Sequence, residues 1–171
     1  MSAGPRGRLR RFLFRLPITL HHAGVRGYER ILGIDWILVT TRGRRTGQPR
    51  EVMVDELGHD SATGTVFVAP ANGERSEWVR NVRASPEIEF VRRGVRFSAR
   101  ARDASGDEGA EVYVRFFREH PRYARFVAML GPFEDVSTKP EDEARAYFRT
   151  LVVIALEPRL EGTQDASRPR A

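Results

Sequence analysis

The apolar positions of this chain follow two periods. Trp36-Ile37-Leu38-Val39-Thr40-Thr41 is apolar and β-branched, and Glu51-Val52-Met53-Val54-Asp55 alternates polar with apolar, so both read as strands. Gly58-His59-Asp60-Ser61-Ala62-Thr63-Gly64 is a turn-rich link to a strand over Thr65–Ala69. A hairpin is expected from Glu87–Arg92 and Val95–Arg102 about Gly94. Within Arg145–Glu157 the run Leu151–Leu156 reads as a buried closing strand. Elsewhere the spacing is helical. Leu9, Phe12, Leu13 and Leu16 share a face opposite Arg8, Arg11 and Arg15, and Pro17 ends that helix. Ser76 stands where an N-cap would, before a helix from Glu77 to about Ala84 that Pro86 stops. Asp107–His120 predicts a longer helix, Pro121 opens another to about Leu130, and Gly131–Glu141 reads as a loop.

Short antiparallel strands punctuated by helices predict the α+β class, a small antiparallel β-barrel with flanking helices. Residues 31–158 form the domain. A basic amphipathic helical segment precedes it over 1–30, and a polar, disordered tail follows over 159–171. At 171 residues, with 40 % hydrophobic and 30 % charged, one soluble domain with a proper core is the expectation. The chain has no cysteine, which removes disulfides, thiolate metal sites and thiol nucleophiles and fits a cytoplasmic setting. No apolar run is long enough for a membrane span, and Arg15 interrupts the one N-terminal apolar stretch that could serve a signal peptide.

Charge changes the picture. Eleven arginines and two acids stand before position 51, whereas the whole chain nets +6, so the remainder is acidic. The basic segment lacks a helix-turn-helix, RNA-binding sheet motif or zinc finger, which argues against nucleic acid. An anionic small ligand or an anionic membrane surface suits it better. The first helix can lie on such a membrane, cap the barrel, or simply dock on the core. The densest cluster is Thr40-Thr41-Arg42-Gly43-Arg44-Arg45-Thr46-Gly47-Gln48-Pro49-Arg50, a turn between two strands. Gly43 and Gly47 permit positive φ, so backbone N–H groups can face a common concavity. Arg44, Arg45, Thr46 and Arg50 add donors for a phosphate or carboxylate. The alternative is a solvated hairpin. The Gly43–Gly47 spacing is too short for a Walker loop, and no Lys follows.

Trp78 and Asn81 lie three apart on one helical face, an indole to wall a flat ring and an amide to donate and accept. Trp78 equally suits a core position. Metal chemistry is disfavoured, because His21 and His22 are adjacent and His59 and His120 fall on different elements. A serine hydrolase is disfavoured by the absence of a Gly-x-Ser-x-Gly elbow.

The turn Thr40–Arg50 and the segment Gly73-Glu74-Arg75-Ser76-Glu77-Trp78-Val79-Arg80-Asn81-Val82-Arg83-Ala84-Ser85-Pro86 together resemble the deazaflavin-dependent nitroreductases. These are split-barrel oxidoreductases that use coenzyme F420. The resemblance runs in order from Ile31 to Pro158, and Val79 stands where many members carry Tyr. It implies that Arg44, Arg45, Thr46, Gly47 and Arg50 grip the cofactor's phosphate and acidic tail. It places Val52, Met53 and Val54 along the deazaflavin ring, Ala69, Pro70 and Ala71 on its other side, and Trp78 and Asn81 closing the pocket. It also implies hydride transfer to an electron-poor small molecule, a quinone, enone or nitro compound, with no catalytic side chain assigned. Tyr113 and Tyr123 either line the acceptor face or sit in the core. FMN on a similar barrel, a non-catalytic F420 carrier, peripheral membrane contact through the first helix, and a homodimer stay open.

Overall fold

The computed structural model describes residues 30–31, 34–129, 136, 139–159 and 164–165. The basic helix expected over 1–30 therefore falls outside the described residues, as does most of the 159–171 tail. The strands are β1 (Arg30–Ile31), β2 (Ile34–Arg42), β3 (Pro49–His59), β4 (Val66–Ala69), β5 (Glu87–Arg92), β6 (Val95–Asp103), β7 (Ile154–Pro158) and β8 (Gln164–Asp165). The helices are α1 (Glu77–Ala84), α2 (Asp107–Glu119), α3 (Pro121–Met129) and α4 (Glu141–Phe148).

Every pairing is antiparallel, in the order β2-β3-β4-β7-β6-β5, and β5 returns to β2 to close a six-stranded barrel. Alternation along the strands sorts their side chains between two cores. Val66 and Val68 of β4, with Ile154 and Leu156 of β7, face the barrel interior beside Ile37, Val39 and Phe90. Phe67, Ala69, Val153 and Ala155 face outward onto Val112, Phe116 and Phe148 of the helical layer. Both faces are covered, which is why Leu151–Leu156 reads as a continuous apolar run. Helix α1 contributes Trp78, Val79 and Val82 to the barrel interior and so plugs it. Outside, Tyr113, Phe117 and Phe148 stack with ring centroids 5.0–6.0 Å apart and lock α2 to α4.

Several expectations are corrected. Residues 141–148 form a helix that the sequence reading did not assign. Its acidic first turn, Glu141-Asp142-Glu143, follows Pro140, and Ala144 and Phe148 bury one face. β3 runs on to His59, because a bulge between Glu56 and Gly58 lets the strand continue past the glycine. β7 begins at Ile154 rather than Leu151. Ser76 occupies the N-cap of α1, yet its side chain makes no capping bond. In the tail, Gln164 and Asp165 pair with Arg96 and Val95 of β6.

Candidate functional site

The barrel is split along one strand. β3 pairs with β2 from Pro49 to Asp55, but with β4 only from Asp55 onward, because β4 ends opposite Asp55 at Ala69 and Pro70 follows. Among the described residues, Arg50–Val54 therefore has a ladder partner on one side only. On the side that no described strand pairs, the edge can offer backbone donors and acceptors to a flat polar partner. Val54 is buried, Val52 and Met53 are half-buried, and Glu51 and Arg50 are exposed. Ala69 and Pro70 are buried at the end of the gap and Ala71 is exposed; a turn in which Gly73 N donates to Pro70 O (3.0 Å) leads on to α1.

The Gly43–Gln48 turn stands at the other end of that edge. Gly47 takes φ +67°, as expected. Gly43 does not take a positive φ; its constraint is space, since a Cβ there would meet Thr46 Oγ1 at 3.0 Å and Gln48 O at 3.2 Å. The expected concavity of free N–H groups is not formed. Gly43 N donates to Gln48 O (2.8 Å), while Thr46 N and Gly47 N both donate to Gly43 O (3.2 and 2.7 Å). Arg44 N donates to Asn81 Oδ1 at 3.2 Å. Side chains must then supply the anion donors. The guanidinium groups of Arg42, Arg45 and Arg50 are exposed and form no ion pair among the described residues. Arg44 differs: its Nη1 donates to Glu77 Oε2 (2.6 Å) and Asn81 Oδ1 (3.2 Å).

Asn81 is the hub of this end. It is 5 % exposed, and its Nδ2 donates to Thr41 Oγ1 (3.4 Å), whose hydroxyl donates to Arg50 O (3.3 Å). One buried amide thus joins α1, β2, β3 and the turn. Trp78 shares the helix but points into the barrel core at 7 % exposure. Val79, fully buried in that core, faces no ligand, so the residue type there bears on packing. The structure therefore gathers Arg45, Arg50, Thr46, Gly47, Val52–Val54 and Ala69–Ala71 along one open edge, with Asn81 beneath the turn and Trp78 behind it.

The sequence reading missed Thr41, Arg42 and Glu77. Glu77 precedes Asn81 by four residues, so both project from one helical face toward Arg44, a spacing readable in advance. Tyr113 is buried, its hydroxyl 3.5 Å from Val152 O, and burial pushes its pKa up. Tyr123 donates to Asp55, one residue beyond the unpaired edge. No group of three or more His, Cys, Asp or Glu able to hold a metal occurs among the described residues. Nor is any described helix long and apolar enough to cross a membrane.

The donor set fits an anionic cofactor with a flat ring: exposed arginines with no ion pair among the described residues at one end, and beside them a strand paired there on one side. Comparison with known proteins agrees. A family model described as F420H(2)-dependent quinone reductase matches residues 18–131. Among solved structures the chain is similar to an F420-H2 dependent reductase (FDR-A), at 20 % identity over 71 % of this chain and 93 % of that one, with a TM-score of 0.49. It also resembles the protein Atu2129 of Agrobacterium tumefaciens strain C58, at 14 % identity over 91 % of this chain and 60 % of that one, with a TM-score of 0.50. A Bacteroides thetaiotaomicron VPI-5482 protein named for 5-nitroimidazole antibiotic resistance matches at 10 % identity, 79 % and 78 % coverage and a TM-score of 0.50. The likenesses at a TM-score of 0.50 concern the fold alone, and the family rests on the family model, not on the likeness to FDR-A.

Proposed function

The chain belongs to the F420H(2)-dependent quinone reductase family, and we propose from that premise that the open β3 edge and the arginine turn hold the cofactor while its acceptor is reduced. The protein is an oxidoreductase that moves hydride from reduced F420 to a quinone-type acceptor. The observation that supports the site assignment is that, among the described residues, β3 pairs with β2 along Pro49–Asp55 while β4 joins it only from Asp55, beside exposed arginines.

When bound, the reduced deazaflavin supplies the hydride. This chain's own residues supply position and charge. Arg42, Arg45 and Arg50 would hold the phosphate and acidic tail by charge-assisted hydrogen bonds. The backbone of Val52–Val54 would meet the polar edge of the ring, and Ala69–Ala71 would border it with small, apolar groups. Asn81 works at one remove by holding Arg44 N, which keeps the turn in one shape, and Trp78 supports α1 from the barrel interior. Held this way, donor and acceptor need only contact and alignment, since no nucleophile takes part. Negative charge developing on the acceptor would be stabilised by backbone amides at the ring end, not by the arginines of the turn. Enones and nitro compounds are further acceptors of this kind.

The test is a titration of purified protein with F420 and, separately, FMN, followed by oxidation of F420H2 with a soluble quinone. Tight F420 binding and quinone-dependent oxidation support the reading. Preference for FMN would sink the cofactor's place at this edge, and binding without turnover would make the protein a carrier.

A further inference from the structure

The anion-binding end of the site already holds an anion from the chain itself. Glu77 opens α1, and its carboxylate is gripped from two sides: Oε2 accepts from Arg44 Nη1 at 2.6 Å and Oε1 from Arg80 Nη1 at 3.0 Å. Arg44 first, and then Arg80 and Arg45, hold this carboxyl below the usual range. The Glu77 side chain is 67 % exposed and that of Arg44 only 23 %. The carboxylate therefore lies on the solvent side of the arginine, where an incoming phosphate or carboxylate would arrive.

We propose that Glu77 is an internal competitor at the turn, a specificity-determining residue that occupies Arg44 until a more highly charged ligand displaces it. The chemistry favours exchange over permanent pairing. An exposed ion pair is weak, so a dianion or a multiply charged tail can replace one carboxylate on Arg44. Displacement does not unfold the turn, because Arg44 N stays bonded to Asn81 Oδ1 and the internal bonds to Gly43 O and Gln48 O are untouched. A weakly charged ligand gains too little from Arg44 to displace Glu77. The site thereby discriminates by ligand charge without any added clash. The identity of the ligand rests on the functional reading above; the competition itself does not.

The experiment compares wild type with Glu77→Gln and, as a control for overall charge, Glu74→Gln. Glu74 pairs with Arg83 rather than with the turn. Each protein is titrated calorimetrically with F420, with the deazariboflavin chromophore lacking the anionic tail, and with inorganic pyrophosphate; melting curves confirm folding. Glu77→Gln is expected to bind F420 and pyrophosphate about fivefold more tightly, the worth of one exposed ion pair. The tail-less chromophore should bind all three proteins alike. Equal or weaker anion binding by Glu77→Gln would overturn the proposal, and so would an equal gain in Glu74→Gln, which would mark a bulk charge effect. If no protein binds F420 while pyrophosphate still favours Glu77→Gln, the competitor stands and the cofactor reading falls.

Discussion

The hydroxyl of Tyr123 donates to Oδ2 of Asp55, tying α3 to the outer face of β3 at the residue where β3 first meets β4. The Trp36 indole N–H approaches the same carboxyl from the paired position on β2 without reaching ordinary hydrogen-bond geometry. Burial, the largest influence, raises the Asp55 pKa, and the Tyr123 and Trp36 donors only partly oppose it. A carboxyl raised on folding contributes stability that is whole below its unfolded pKa. That contribution is lost as pH rises through the folded value. Asp55→Asn keeps an acceptor for Tyr123 and cannot ionise. Its Tm should match wild type near about pH 4 and exceed it increasingly toward neutrality. Melting curves across that range check this; a gap that narrows with pH would mean that the anion is the stabilised form.

Tyr113 has no route to an acceptor. It is 2 % exposed among Phe117 and Phe148, and its hydroxyl makes one long contact to Val152 O. Tyr113→Phe should leave kcat and KM for the quinone unchanged and cost at most about 1 kcal/mol of stability. Steady-state kinetics and urea unfolding read both.

Arg45 and Arg50 form no ion pair among the described residues, so their loss should weaken binding of the anionic tail and spare the ring. Arg45→Ala and Arg50→Ala should each raise the F420 Kd about tenfold, equivalent to 1.4 kcal/mol, and flatten its salt dependence. Affinity for the tail-less chromophore should stay constant. An equal loss for both ligands would place these residues at the ring instead.

Further along β3, Glu56 is 7 % exposed and accepts two bonds from the half-buried Arg92, at 2.8 Å from Nε and 2.6 Å from Nη2. Among the described residues, Arg92→Ala leaves this carboxylate only the His59 contact at 3.4 Å and should destabilise the fold by about 1–3 kcal/mol. Replacing both with leucine should cost less than the sum of the single changes. Denaturant midpoints of the three variants decide it.

Much of this was legible in the sequence where the signals are local. Ser76 and Pro86 bracket α1 correctly, Gly94 marks the β5–β6 hairpin, and Gly43–Gly47 marks the turn between β2 and β3. What escaped depends on distant partners. Arg44 N is taken by Asn81, 37 residues away, while the N–H groups of Gly43, Thr46 and Gly47 close on carbonyls of the turn itself. Gly58 reads as a turn because a bulge, which exists only against β4, lets the strand pass through it. Helix α4 was different: its acidic first turn after Pro140 was readable, but its buried face offers little beyond Ala144 and Phe148 to mark a helical period.

Among the described residues β3 pairs with β2 alone along Arg50–Val54, so a cofactor bound there as proposed would take the place of a neighbouring strand. Backbone amides from Val52 to Val54 should exchange with deuterium quickly in the empty protein and slow once F420 is bound. Until then this short stretch is a template to which an extended segment of another chain can add. Cofactor supply would thereby govern the protein's tendency to self-associate as well as its activity.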